Sequence, residues 1–217
     1  MKTIPVCEIF ESIQGEGRFA GVSAVFLRTA GCNLDCSWCD STYSLTREDA
    51  DDLTVEEIAS RVVASKARHL VITGGEPLLH QEALMRLAAA VDDIEIEIET
   101  NGTIEPRIEG AFYSVSPKLA SAQPDGPSAI RAEVLKAFLT VDSIFKFVVS
   151  TEEDWQQMLD VVEAVGIPAR SVYVMPQGTS DEQIRSSAIV LMPQIIAHGF
   201  NFSPRLQVWL WGDERGR

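Results

Sequence analysis

Cys32, Cys36 and Cys39 fall within eight residues, in the run Gly31-Cys32-Asn33-Leu34-Asp35-Cys36-Ser37-Trp38-Cys39-Asp40. Three thiolates this close can serve one metal centre. A cubane iron–sulfur cluster takes four cysteine ligands. The chain's fourth cysteine, Cys7, lies well upstream of the run. With Cys7 left out, one iron stays open for a non-protein ligand. That arrangement suits chemistry better than electron storage alone.

Other uses of the three thiols are weaker. A Cys3His zinc site needs a histidine, and His69, His80 and His198 fall in no short zinc-module spacing. Disulfide frameworks belong to small secreted chains, whereas this chain has 217 residues, four cysteines and no signal-like start. A redox pair of Cys36 and Cys39 leaves Cys32 without a task. A cluster therefore ranks ahead of zinc, and both rank ahead of a disulfide. Cys7, in an early apolar segment, reads as buried and inert.

Two further motifs carry chemistry. In Gly74-Gly75-Glu76-Pro77 the glycines let backbone approach a ligand, and the Glu76 carboxylate can receive an ammonium group. In Glu99-Thr100-Asn101-Gly102 the Glu99 carboxylate suits a ribose diol. Each is an ordinary turn when read alone. Each gains weight from the cysteines upstream.

These motifs need elements to hold them. Strands are expected at Val22 to Arg28, His69 to Thr73, Glu95 to Thr100, Phe112 to Ser116, Ser143 to Val149 and Ser171 to Met175. Thr54-Val55-Glu56-Glu57 is a capping box that opens a helix to about Lys66. Further helices follow from Gln81 to Ala90, from Thr151, and from Ser180 to His198. Arg205 to Leu210, with Trp209 and Trp211 alternating, reads as a last strand.

Strands alternating with helices imply parallel βα units. About six of them form an α/β fold, an incomplete TIM-like barrel, with function at the C-terminal strand ends. The cysteine run and both motifs fall at such ends. One domain, residues 1–217, is expected.

The net charge of −14 argues against nucleic acid as main partner. No apolar run reaches the roughly 18–20 residues of a membrane span. The protein is expected in the cytoplasm, where thiols stay reduced.

The cysteine run with Gly-Gly-Glu-Pro resembles the radical S-adenosylmethionine (SAM) superfamily. Collinear stretches narrow the resemblance to the 7-carboxy-7-deazaguanine synthase family. They are Ile13-Gln14-Gly15-Glu16-Gly17, Arg28, Cys39-Asp40-Ser41, Ser116-Pro117-Lys118 and Arg205-Leu206-Gln207-Val208-Trp209-Leu210-Trp211-Gly212. The resemblance implies conversion of 6-carboxy-5,6,7,8-tetrahydropterin to 7-carboxy-7-deazaguanine with loss of ammonia, toward queuosine-type products. It also implies a [4Fe-4S] cluster, SAM, Mg²⁺, a flavodoxin or ferredoxin as electron donor, and a homodimer. A glycyl-radical activase of the same superfamily and a zinc-stabilised binding module are the alternatives.

Carried over by residue, Cys32, Cys36 and Cys39 hold the cluster. The SAM site takes Trp38, Cys39, Asp40, Gly75, Glu76 and Glu99. It is completed by Ser116, Pro117 and Lys118, and by Met175, Pro176, Gln177 and Gly178. The pterin faces Ile13, Gln14, Gly15, Glu16, Arg28, Thr73 and, near the C-terminal carboxylate, Arg217. Magnesium binds Ser41. Many members have Thr at position 41 and His at position 207. Ser41 keeps the oxygen ligand, whereas Gln207 cannot shuttle protons near neutral pH.

Overall fold

The structure, a computed structural model, describes residues 3–212 and 214–217. Nine strands form one sheet in the order β3-β1-β2-β4-β5-β6-β7-β8-β9. Six of them match the expected βα units: β2 (Ser23–Thr29), β4 (His69–Gly74), β5 (Glu95–Thr100), β6 (Phe112–Val115), β7 (Ser143–Val149) and β8 (Val172–Pro176). They pair in parallel, and the short β9 (Asn201–Phe202) extends them. The sheet is open, with β3 (Asp51–Thr54) and β9 at its edges.

Three strands, β1, β3 and β9, escape the sequence pattern. β1 (Thr3–Ile13) pairs antiparallel with β2 and with β3. Pro5 within β1 lacks a ladder donor and masks the strand. A bulge between Val6 and Glu8 shifts the register and sets Glu8 opposite Arg28.

Five helices cover the outer face: α1 (Val55–Ala64), α2 (Gln81–Ala88), α3 (Ala132–Phe138), α4 (Glu152–Val165) and α5 (Asp181–His198). Capping boxes open α1 at Thr54 and Glu57 and α4 at Thr151 and Asp154. The expected last strand is instead a helix, α6 (Leu206–Trp211). Alternation at Trp209 and Trp211 marks no buried face, because both are exposed, at 66% and 36%.

Strand alternation divides the molecule chemically. Leu70, Ile72, Ile96, Ile98, Phe145 and Phe147 point outward into the helix-packed core. The intervening positions Thr73, Glu97, Glu99, Ser114 and Lys146 are buried or half-buried polar residues. Only Ala24, Phe26 and Val71, with Phe10 against them, form a small second apolar cluster. The concave side is thus built to hold something polar.

Candidate active site

The loop after β2 closes on itself. Gly31 N donates to Ser44 O at 2.8 Å, and Cys32 N donates to Leu45 O at 3.1 Å. Its tip is pinned from outside. Asn101 Nδ2 donates to Asn33 Oδ1 at 2.9 Å, and Ser37 N donates to Ala122 O at 2.9 Å. Cys32, Cys36 and Cys39 are free thiols that line one cavity of about 480 Å³, ligand-sized by general standards. Cys7 sits on β1, its thiol 3.9 Å from Tyr43 O, and does not line the cavity.

Burial pushes the Cys32 and Cys36 thiols up. A bound cation reverses this, since a coordinating thiol is deprotonated. Among the described residues no three His, Cys, Asp or Glu side chains converge on a single ion. A cluster gives each thiolate its own iron, so its ligands need not meet at one point. The donor set fits a cluster better than one zinc ion.

The glycine pair serves the loop. A Cβ added at Gly74, where φ is 126°, would lie 2.1 Å from Thr29 O, and one at Gly75 would lie 2.1 Å from Gly31 O. Their absence lets Gly75 N donate to Thr29 O at 3.1 Å and Glu76 N donate to Gly31 O at 2.8 Å. The end of β4 therefore carries the root of the cysteine loop.

Glu76 sits apart from the other expected SAM residues. It is 0% exposed and is not part of the cavity wall. One oxygen accepts from Leu78 N at 3.0 Å and Thr100 Oγ1 at 2.7 Å, and the other accepts from Asn101 N at 2.7 Å. Burial raises its carboxyl, and these bonds oppose the rise. Glu76 clamps the ends of β4 and β5.

The other expected SAM residues divide. Trp38, Asp40 and Gly75 line the cavity, as do Ser116 and Lys118 beyond β6 and Met175, Pro176 and Gln177 around the end of β8. Lys118 Nζ donates to Ser116 Oγ at 2.9 Å and lies 5.6 Å from the Trp38 ring centroid. Pro117 and Gly178 are not in the wall. Glu99 lines the cavity in different company from that expected. It accepts from Thr73 Oγ1 at 2.8 Å and from Gln14 Nε2 at 3.2 Å, which groups it with the pterin-side set.

Around Glu99 lies a buried charged wall. Gln14, only 2% exposed, donates to Glu97 and Glu99 and accepts from Glu16 N at 3.1 Å. Its amide is used internally, to orient the carboxylates. Glu97 is also bonded to His69 Nε2 at 2.9 Å. Glu16 is ion-paired with Lys146, accepts from Arg205 Nε at 3.2 Å and accepts from Gln207 Nε2 at 2.7 Å. Burial by itself raises the Glu16 carboxyl, but Lys146 and Arg205 outweigh it and hold it at about 2.

Lys146 and Arg205 were not singled out as site residues from sequence. The signal for Lys146 was a lone lysine amid Ser143-Ile144-Phe145-Lys146-Phe147-Val148-Val149, an otherwise apolar strand. Ile13 and Gly15 also line the cavity. A Cβ at Gly15 would fall 1.7 Å from Gln207 Oε1, so glycine lets α6 dock against this turn. Leu206 N completes the contact on Gly15 O at 3.0 Å.

Arg28 donates from Nε to Glu8 at 2.7 Å, with its guanidinium 5.9 Å from the Phe10 ring and 5.8 Å from the Tyr43 ring. Arg215 covers Tyr43 at 3.9 Å and also donates to Glu8, while Arg217 lines the cavity. Ser41 is buried in the wall, 3.9 Å from the Cys39 sulfur. Its hydroxyl makes no capping bond to the turn it precedes. Its hydrogen-bond partner is the Cys39 sulfur.

The open parallel sheet and its three-cysteine loop define a radical SAM protein. The radical SAM superfamily model matches residues 26–189. The chain belongs, within that superfamily, to the 7-carboxy-7-deazaguanine synthase family. The relative of that name from Pyrobaculum aerophilum is 39% identical over 222 residues, covering 99% of this chain and 97% of its own. The Rhodopirellula baltica relative of that name is 33% identical, covering 97% and 88%. The crystal structure of QueE from Escherichia coli superposes with a TM-score of 0.73 at 25% identity, covering 94% of each chain. Streptococcus suis SuiB bound to S-adenosylmethionine shares the fold alone, with a TM-score of 0.57 at 17% identity over 79% of this chain and 47% of that one.

Proposed function

We propose that this chain is a carbon–nitrogen lyase that converts 6-carboxy-5,6,7,8-tetrahydropterin to 7-carboxy-7-deazaguanine and ammonia. One observation carries the reading. The three-cysteine loop and a buried wall of paired charges face the same cavity, and Arg205 ties them by bonding both Asp40 and Glu16.

Cys32, Cys36 and Cys39 would hold a [4Fe-4S] cluster. When bound, the cluster and SAM supply a 5′-deoxyadenosyl radical that removes a hydrogen atom from substrate. The chain's own residues bind, orient and shield. Trp38, Gly75, Ser116, Lys118 and Gln177 lie on the SAM side. Glu16 and Glu99 offer acceptors to the N–H edge of a pterin. Arg28, with a planar fork of donors, suits the substrate carboxylate. Its pairing with Glu8 keeps the guanidinium in place until that carboxylate arrives. Ser41 would give Mg²⁺ one oxygen ligand, with waters and substrate oxygens completing the shell.

The assembly reading is a homodimer. Ile189, Val190 and Ile196 on α5, with Trp209, Leu210 and Trp211 on α6, are exposed apolar side chains. Exposed apolar side chains of this kind favour a partner surface. One continuous sheet supports a single domain. The electron donor is read as a flavodoxin or ferredoxin and the location as the cytoplasm. Among the described residues no helix is long and apolar enough to cross a membrane.

The test is anaerobic incubation of the cluster-loaded protein with the carboxypterin, SAM, Mg²⁺ and a reductant. Formation of 7-carboxy-7-deazaguanine with ammonia supports the reading. SAM cleavage that leaves the carboxypterin intact overturns it.

A further inference from the structure

Among the described residues Lys146 is the one lysine that the concave face of the sheet buries, at 4% exposure, although it lines the cavity. On its own strand its same-side neighbours are the apolar Ile144 and Val148. Taking an ammonium out of water is costly unless partners repay it. Here the partners converge from separate elements. Glu16, after β1, is in direct contact, and Glu99, on β5, lies 3.6 Å away. Gln14 links the Glu99 carboxylate to the Glu16 backbone, donating to the first and accepting from the second.

We propose that Lys146 is a positioning residue for substrate recognition: its ammonium, seated between Glu16 and Glu99, fixes both carboxylates as a matched pair of acceptors for the N–H edge of a pterin-type heterocycle. The inference rests on the function proposed above and deepens it. Two carboxylates sharing one site cannot both stay ionised without a cation between them. Arg205 supplies charge to Glu16 only from the far side, where it is divided with Asp40. Among the described residues Glu99 has no other ion pair.

Every charged or titratable group facing this pair bears on its protonation. Glu97 and Glu99 come from β5, and His69 from β4. Arg28 comes from β2, Tyr173 stands beside Lys146 in the β7–β8 register, and Arg205 precedes α6. Of the cations among the described residues, Lys146 alone contacts both carboxylates. Without it, burial raises the Glu16 carboxyl with its chief opposing cation gone. An acceptor then becomes a donor and meets the substrate's N–H groups donor to donor. With Lys146 present, Glu16 stays ionised throughout the working range, because its carboxyl is held at about 2.

The experiment compares wild type with Lys146→Met, both carrying the cluster, under anaerobic conditions. The carboxypterin is titrated calorimetrically at pH 6 and pH 8, with SAM affinity and turnover measured in parallel. The expected result is a tenfold or larger rise in Kd for the pterin at pH 6, shrinking toward pH 8, with SAM affinity unchanged. An unaltered Kd, or an equal rise at both pH values, overturns the proposal. If Lys146→Met does not fold, Lys146→Gln, which keeps a donor without the charge, carries the same two outcomes. Wild-type turnover of the carboxypterin separates the two failures. Its absence sinks the functional reading and the proposal with it. Its presence beside an indifferent variant sinks the proposal alone.

Discussion

Asp40 and Arg205 form an ion pair across 165 residues of sequence. Asp40 directly follows the last cysteine of the loop, and Arg205 directly precedes α6. Through its Nε the same guanidinium reaches Glu16 at 3.2 Å, and through Nη1 it donates to Gly178 O. One planar group therefore spans the two halves of the cavity. A lysine, with a single point charge, cannot make this set of contacts.

Replacing Cys32, Cys36 or Cys39 with Ala should abolish the cluster's visible absorbance and all turnover, because two thiolates do not hold the site. Cys7→Ala should retain both, since that thiol faces Tyr43 O outside the cavity wall. Loss of absorbance in the Cys7 variant would show that the ligand assignment is wrong.

Glu76→Ala should act on the fold before it acts on a ligand. It removes the acceptor for Leu78 N, Thr100 Oγ1 and Asn101 N, all within a fully buried clamp. Stranding such donors costs about 1–3 kcal/mol each. Urea unfolding should show a loss of several kcal/mol. Wild-type stability combined with weakened SAM binding would return Glu76 to the ligand role.

The sequence exposed the parts of this molecule that repeat or cluster, and hid those that depend on long-range pairing. Val22 to Arg28 and Ser143 to Val149 were legible as strands because their runs are apolar and bounded by turns. The capping boxes at Thr54 and Thr151 marked two helix starts to the residue. β1 was hidden by Pro5, and α6 by two tryptophans that face solvent rather than a core. In the site, clustered cysteines announced themselves. Lys146 did not, because a lysine in a strand ordinarily points to water, and only distant partners, Glu16 130 residues away and Glu99 on β5, give it a reason to be buried. The partners of Glu76 were hidden for a related reason. A carboxylate after two glycines looks available until the backbone donors around Thr100 and Asn101 are placed.

Ser41→Ala should lower turnover strongly and remove most of the magnesium dependence while leaving the cluster absorbance unchanged. A displacement of 1 Å in such a site costs about a hundredfold in rate. Ser41→Thr should keep activity, since the oxygen remains. Rates across a magnesium titration decide the matter, and parallel curves for wild type and Ser41→Ala would remove the metal-ligand role.

Acid should weaken the fold through Glu16. Its folded value of about 2 lies below the ordinary 4.5, so its contribution is complete above pH 4.5 and is lost as pH falls toward 2. Urea midpoints of wild type should drop between pH 5 and pH 3. Those of Glu16→Gln should drop less, because that variant lacks the titrating group. Equal drops would show that Lys146 and Arg205 do not stabilise the Glu16 carboxylate.

The central claim is that the cysteine loop and the charged wall serve one reaction in one cavity. The most direct measurement uses carboxypterin deuterated at its reduced ring carbons, incubated anaerobically with the cluster-loaded protein, SAM and a reductant. The account predicts deuterium in the 5′-deoxyadenosyl carbon of the recovered nucleoside, together with 7-carboxy-7-deazaguanine. Nucleoside free of deuterium, formed at the same rate with and without the carboxypterin, would contradict it.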